Sequence, residues 1–279
     1  MKEVLTGYGE LFEFWFDGAN GEGPNGKKQV YDWSGFIETV RTHQPNACIF
    51  SDGGPDIRWV GNESGFADPT NWSLFLRDEF YPGSPRHAEL AQGHKNGTHW
   101  VPTECDVSIR PGWFYHEEED GNVKSVDQLM EIWMRSVGRN ASLLLNLPVD
   151  RRGLVHENEV EALMNFRIAR EVKFGTDMAL GSPVKASNVR DASLLFAVEN
   201  VTDGNPQTYW ATDDDVTAAI MEIELTNNSF VSCVLLEEYI PLGQRIEKFV
   251  TSVKTAGEWK VVFEGTTIGR KKGSLSSSE

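Results

Sequence analysis

Leu11-Phe12-Glu13-Phe14-Trp15-Phe16-Asp17-Gly18 is a dense apolar and aromatic run that stops at a carboxylate followed by glycine. It is too short and too sharply bounded for a helix, and its composition is that of a buried strand. Asp17 therefore sits where a strand meets a loop. In a parallel α/β barrel, that end of the strand is where active sites are built. Trp15, two residues earlier, shares a strand face with Asp17, and the two can form the floor of a sugar pocket. A turn-starting aspartate ahead of Gly18 accounts for the same residues equally well.

Outward from this strand, the chain alternates strand-like and helix-like segments. A glycine-rich loop spans residues 18–26. Residues 32–44 then read as a helix capped by Asp32, with Phe36, Ile37 and Val40 as its apolar stripe, ended by Pro45-Asn46. Ala47-Cys48-Ile49-Phe50 is a short buried strand that ends at Ser51-Asp52-Gly53-Gly54. Residues 53–98 read as one long loop, and its aromatic content (Trp59, Phe66, Trp72, Phe75, Phe80, Tyr81) argues for order and function. Residues 99–109 form the next strand, and the acidic run 117–121 a solvated loop. Ser125 caps a helix to about residue 137, lined by Leu129, Ile132, Trp133 and Val137. A strand over 142–149 and a long helix over 157–173 follow, the helix with Val160, Leu163, Met164 and Ile168 inward. Such alternation implies a parallel sheet or barrel.

Near Phe174-Gly175-Thr176 the pattern changes to short β-rich runs, at 218–225, 232–236 and 259–263, separated by turns. This is the signature of a β-sandwich. The expected division is an α/β part over residues 1–176, an all-β part over 177–269, and a low-complexity, disordered tail over 270–279.

The 279 residues carry a formal net charge of -16, a field that repels phosphate backbones and anionic bilayers, so neither nucleic acid nor membrane is an expected partner. Cys48, Cys105 and Cys233 are few, odd in number and widely spaced, with no zinc spacing. They leave the compartment unassigned, and Met1-Lys2-Glu3-Val4-Leu5 lacks the basic and apolar regions of a signal peptide. Nine tryptophans are a rich supply of flat faces for the C–H surfaces of sugars.

Several longer motifs, in order, resemble glycoside hydrolase family 29, the retaining α-L-fucosidases. They are Phe12-Glu13-Phe14-Trp15-Phe16-Asp17-Gly18-Ala19-Asn20-Gly21, Arg58-Trp59-Val60-Gly61-Asn62-Glu63, Gly138-Arg139-Asn140 and the stretch from Glu104-Cys105-Asp106 through Arg110-Pro111-Gly112-Trp113-Phe114-Tyr115-His116. Asn200-Val201-Thr202-Asp203-Gly204, Thr208-Tyr209-Trp210-Ala211-Thr212 and residues 238–245 resemble the family's C-terminal domain. The resemblance implies a partial (β/α)8-like, TIM-type barrel followed by a galactose-binding-like β-sandwich of jelly-roll type. It implies hydrolysis of terminal α-L-fucose, α-1,3- or α-1,4-linked, from oligosaccharides or glycoconjugates. Family members carry a substantial barrel segment, rich in histidine, before the nucleophile strand. Here Asp17 comes almost at once and no His-His pair occurs, so the chain resembles the C-terminal portion of a fucosidase, with the N-terminal barrel segment as an expected missing partner.

Retaining glycosidases use two carboxyl groups, one attacking the anomeric carbon and one serving as acid and then base. The resemblance assigns the first role to Asp17 and the second to Glu63, with Glu104 as the other candidate for the acid. Trp15, Arg58, Trp59, Glu104, Asp106 and Trp113 are the expected substrate-binding residues. Glu104 and Asp106 share a strand face and either line the pocket or pair with Arg58 or Arg110. Arg58 either orients a hydroxyl or forms a loop salt bridge, and Trp113 either meets the sugar or packs in the core. His43, His87 and His94 are expected at the surface. No catalytic metal or cofactor is expected, though Asp203-Gly204 and Asp213-Asp214-Asp215 could offer oxygens to a structural calcium in the sandwich. The rival to a hydrolase is a catalytically inactive fragment or carbohydrate-binding remnant.

Overall fold

The computed structural model describes residues 1–17, 30–225 and 231–275. The glycine-rich stretch 18–26, with the Gly18-Ala19-Asn20-Gly21 end of the first motif, lies outside them. The chain divides into two compact units, Met1–Val160 and Glu161–Glu279.

The first unit opens with helix α1 (Lys2–Gly7), then β1 (Glu13–Trp15), α2 (Trp33–His43), β2 (Cys48–Ser51) and β3 (Ile57–Trp59). Next come β4 (Leu74–Phe75), α3 (His87–Gln92), β5 (His99–Trp100), β6 (Thr103–Ser108), α4 (Val126–Arg135) and β7 (Ala141–Asn146). Five strands form one parallel sheet in the order β1-β2-β3-β6-β7. It is a curled, partial TIM-type barrel sheet. β4 and β5 pair separately as an antiparallel ribbon.

Local chemistry explains the elements. Asp32 caps α2 by accepting from the Gly35 N–H at 3.0 Å. Leu5, Phe16, Val40, Ala47 and Ile49 form the core beneath β1 and β2. Gln44 ties this corner shut: its Nε2 donates to the carbonyls of Leu5 (2.7 Å) and Gly9 (2.9 Å), and its Oε1 accepts from Leu11 N. Ser125 and Gln128 form a reciprocal capping box at the start of α4, which buries Leu129, Ile132, Trp133 and Met134.

Two expectations for this unit change. Residues 53–98 are not one loop but contain β3, β4 and α3. β3 is three residues long with an arginine at its centre, so it shows neither alternation nor an apolar run. The strand expected over 99–109 is two, because Pro102 lacks the N–H that a continuous ladder needs.

Helix α5 (Glu157–Phe174) runs across the division between the units. Its expected inward stripe is largely uncovered: Val160, Met164 and Ile168 are 47%, 49% and 54% exposed, while Glu159 and Phe166 are buried. The buried position of Glu159 follows from its partner, since its carboxylate receives the guanidinium of the fully buried Arg110.

The second unit is antiparallel and all-β in its sheets: β8 (Val184–Ala186) with β9 (Met221–Ile223), β10 (Cys233–Leu236) with β13 (Lys272–Leu275), and β11 (Phe249–Thr255) with β12 (Glu258–Gly265). The tail expected to be disordered thus supplies β13. Strand pairing uses backbone groups, so a Lys/Ser-rich sequence pairs as well as an apolar one once its neighbour is in register. Lys271 Nζ lies 2.9 Å from Glu237 and Lys272 is buried. Residues 276–279 lie outside the described residues.

Candidate active site

The C-terminal ends of the parallel strands converge on one set of carboxyl and indole groups. Register sets it up. Trp15 stands level with Phe50, so Asp17 and Asp52, two residues further along each strand, come level just beyond the strand ends. Asp17 is exposed. Asp52 is buried and accepts from Gly83 N at 2.5 Å. Burial raises its pKa, the Gly83 N–H opposes this, and the charge of Asp17 adds to the rise. Trp15 lies flat on Phe50, ring centroids 4.3 Å apart.

On the other side, β3 and β6 present Trp59, Glu104 and Asp106 to the inner face, with Trp59 level with Glu104. The Trp59 indole N–H donates to Asp106 Oδ1 at 2.7 Å. Burial pushes the Asp106 carboxyl up to about 6, partly offset by that bond and reinforced by the charges of Glu63 and Glu104. Glu63 is therefore within electrostatic reach of Asp106. Its Oε2 accepts from the Trp113 indole at 3.2 Å, so Trp113 is a polar partner and not only a packing residue. Asn146, at the end of β7, holds Trp113 by donating to its carbonyl at 3.0 Å.

The loop that carries Glu63 is held in shape. Gly61 has φ +86, and a Cβ there would lie 2.6 Å from the His87 carbonyl. His87 Nδ1 is 3.0 Å from the Gly61 carbonyl, and its ring meets Trp59 edge-on at 5.5 Å. Asn62 then closes the turn, accepting from Ser64 N and donating to the Phe66 carbonyl.

Six of the expected site residues and both catalytic candidates can now be placed. Asp17, Trp15, Trp59, Glu104, Asp106, Trp113 and Glu63 lie on the inner face or at the strand-end rim. Arg58 does not. It projects from the opposite face of β3 to Trp59, is fully buried, and donates to the carbonyls of Leu90 (2.8 Å), Trp72 (2.8 Å) and Val101 and to Asn71 Oδ1 (3.1 Å). Desolvation without a facing carboxylate lowers its pKa to about 9. Neither Glu104 nor Asp106 pairs with an arginine: Glu104 Oε2 accepts from Ser142 Oγ at 3.0 Å, and Arg110 is committed to Glu159 and Asp120.

Sequence reasoning did not single out Asp52, His87 as a brace, Asn146 or Glu13. Asp52 had a readable signal, a carboxylate followed by glycine at a strand end, as at Asp17. Among the described residues, no group of three or more His, Cys, Asp or Glu side chains is placed to hold a metal ion. The sandwich aspartates serve local structure: Asp213 accepts from Asn188 Nδ2 and Asp191 N, Asp214 pairs with Arg190, and Asp203 accepts from Asn205 N and Thr208 Oγ1.

The family model described as alpha-L-fucosidase matches residues 1–167. The chain belongs to the α-L-fucosidases, glycoside hydrolase family 29. It is 39% identical over 276 residues to alpha-L-fucosidase 1 of Arabidopsis thaliana, a match covering 98% of this chain and 54% of that protein. A Ruminococcus gnavus family 29 fucosidase solved in complex with fucose superposes with a TM-score of 0.88 at 30% identity, covering 99% of this chain and 58% of that one. A family 29 member from an unknown rumen bacterium gives a TM-score of 0.80 at 33% identity, over 99% and 47% of the two chains. This fucosidase-family chain spans about half the length of the curated relatives it matches.

Proposed function

We propose that this chain carries the catalytic carboxyl groups of a retaining exo-α-L-fucosidase, which removes terminal α-L-fucose, α-1,3- or α-1,4-linked, from oligosaccharides or glycoconjugates. Asp17 attacks the anomeric carbon and forms a fucosyl-enzyme ester as the glycosidic C–O bond breaks. Glu63 gives its proton to the leaving oxygen, then takes one from the water that cleaves the ester. Trp15, Trp59 and Trp113 offer apolar faces to the sugar, and Asp106 offers an acceptor for its hydroxyls, with the buried Glu104 behind it. Arg58 has no part in binding. The observation that carries the reading is the strand-end rim, where an exposed Asp17 and an indole-bonded Glu63 extend from one parallel sheet. A separation of roughly 5–5.5 Å between the two carboxyls in the sugar complex is required of a retaining pair.

The test is Asp17→Ala assayed on an aryl α-L-fucoside, with and without azide. Turnover is expected to fall by at least about 10³-fold, and azide to restore it with β-fucosyl azide as product. Undiminished turnover without azide rules Asp17 out.

One observation favours the rival reading of an inactive or carbohydrate-binding remnant. Among the described residues, β1 and β7 are the two edges of the sheet and do not pair with one another. Fucose binding without turnover by the purified chain would support that reading, and clear hydrolysis would refute it.

A further inference from the structure

Glu13 is the one acid inside the apolar run of β1, and it points into the curl of the sheet. There it meets Glu104 of β6, which stands three strands away in the sheet order but across the hollow in space. Glu104 is only 5% exposed. Its Oε2 is satisfied by Ser142 Oγ, and the Trp15 indole also favours its charged form. Oε1 of Glu104 and Oε1 of Glu13 are both buried, and among the described residues neither accepts a hydrogen bond from another group. The other titratable groups nearby give no relief. Cys48 of β2 and Cys105 and Asp106 of β6 are neutral or negative, and among the described residues no lysine or arginine compensates the pair. Two buried carboxylates with facing bare oxygens repel; one proton between them turns the repulsion into a hydrogen bond.

We propose that Glu13 and Glu104 share a single proton and act as a positioning pair, bracing β1, whose end carries Asp17, across the hollow to β6, which carries Asp106. Its link to catalysis rests on the reading of Asp17 given above; the brace itself does not. Glu13 is the proton's seat. Burial first, then the charge of Glu104 and the bond donated to it, push the Glu13 carboxyl up to about 7. The pair also orients Trp15, which sits between Glu13 and Asp17 in sequence and faces Glu104. Glu104 is thereby an acceptor in a structural bond and not the acid that protonates a leaving group.

Stability against pH tests the brace without any need for turnover. A carboxyl whose pKa rises on folding contributes stability that is full below its unfolded value, 4.5, and is lost as pH rises through about 7. The melting temperature of the full chain should therefore fall over that window. In Glu13→Gln the amide N–H donates permanently to Glu104, so the fall should be smaller and the variant should melt higher than wild type above neutrality. Melting curves for wild type and variant that run parallel with pH would overturn the proposal. A second measurement uses the wild type alone, in case the variant fails to fold. Infrared difference spectra across the same window should show the C=O stretch of a buried protonated carboxyl, giving way to carboxylate bands as pH rises. Its absence at pH 5.5 would likewise overturn the proposal. The positioning role is read from activity: in Glu13→Gln the alkaline limb of kcat should move to higher pH with KM nearly unchanged. An unmoved limb beside a changed melting profile would leave a purely structural brace and refute the link to Asp17, whereas loss of the Asp17 assignment alone would leave the melting result intact.

Discussion

Arg58 and Trp59 are neighbours in one three-residue strand and have opposite fates. Alternation sends the indole to the inner face, where it fixes Asp106, and the guanidinium outward, where it gathers four acceptors from three separate stretches of chain. Phe75 adds a ring face 4.9 Å from the guanidinium carbon. Arg58 is thus a peg for the segment between β3 and β6. Arg58→Met keeps the volume and apolar contact but strands several buried acceptors, which should cost about 3 kcal/mol of unfolding free energy. Urea titration of wild type and variant measures it, and a difference under about 1 kcal/mol would mean that water replaces the guanidinium and the peg is dispensable.

At the scale of elements, the loop from Gly61 to Phe66 carries Glu63, the proposed acid, beyond the end of β3. Two constraints act on Gly61 together, a positive φ and the closeness of the His87 backbone. Gly61→Ala must relieve a contact with a carbonyl that cannot rotate away, so the loop or α3 must shift and carry Glu63 with it. The expected result is a loss of turnover of about 10²-fold, alongside a stability loss of only about 1–2 kcal/mol. Gly153→Ala is the matched control, because Gly153 has φ +76 but nothing within 4 Å of the added carbon. It should lose stability and keep turnover, and equal turnover losses in the two variants would remove any special role for the Glu63 loop. Much of this architecture could be read in the sequence. Helix α2 with its Asp32 cap, α4 with its Ser125 cap and the apolar strand β7 are local features, with period and capping residues set by their own neighbours. Strand β3 was hidden because its partners, Phe50, Ser51, Thr103 and Glu104, are distant in sequence and its own three residues carry no pattern. The acidic pair of Glu13 and Glu104 was hidden for a related reason. Two glutamates ninety-one positions apart (104 minus 13) become neighbours only because the sheet curls.

For the molecule as a whole, apolar surface and net charge oppose one another. Val160, Met164, Ile168 and Val172 recur every four residues on α5 and stand 47%, 49%, 54% and 82% exposed. A stripe of this kind is the face a helix normally buries, and contact with a second copy would remove much of it from water at about 25 cal/mol per Å². The backbone edges of β1 and β7 offer further pairing sites on the sheet. Against this stands a net charge of -16, which keeps copies apart as long as it is unscreened. The Debye length falls from about 10 Å at 0.1 M salt to about 3 Å at 1 M, so added salt weakens the repulsion while leaving the apolar attraction in place. The isolated chain should therefore associate more strongly as both protein concentration and salt are raised. Ile168→Glu with Val172→Lys breaks the stripe without altering net charge and should shift that association to higher concentration. Light scattering over a concentration series at the two salt levels decides the matter: a mass that stays flat throughout would show that the stripe is inert, and one that falls with salt would show that ion pairs, not apolar contact, hold the copies together.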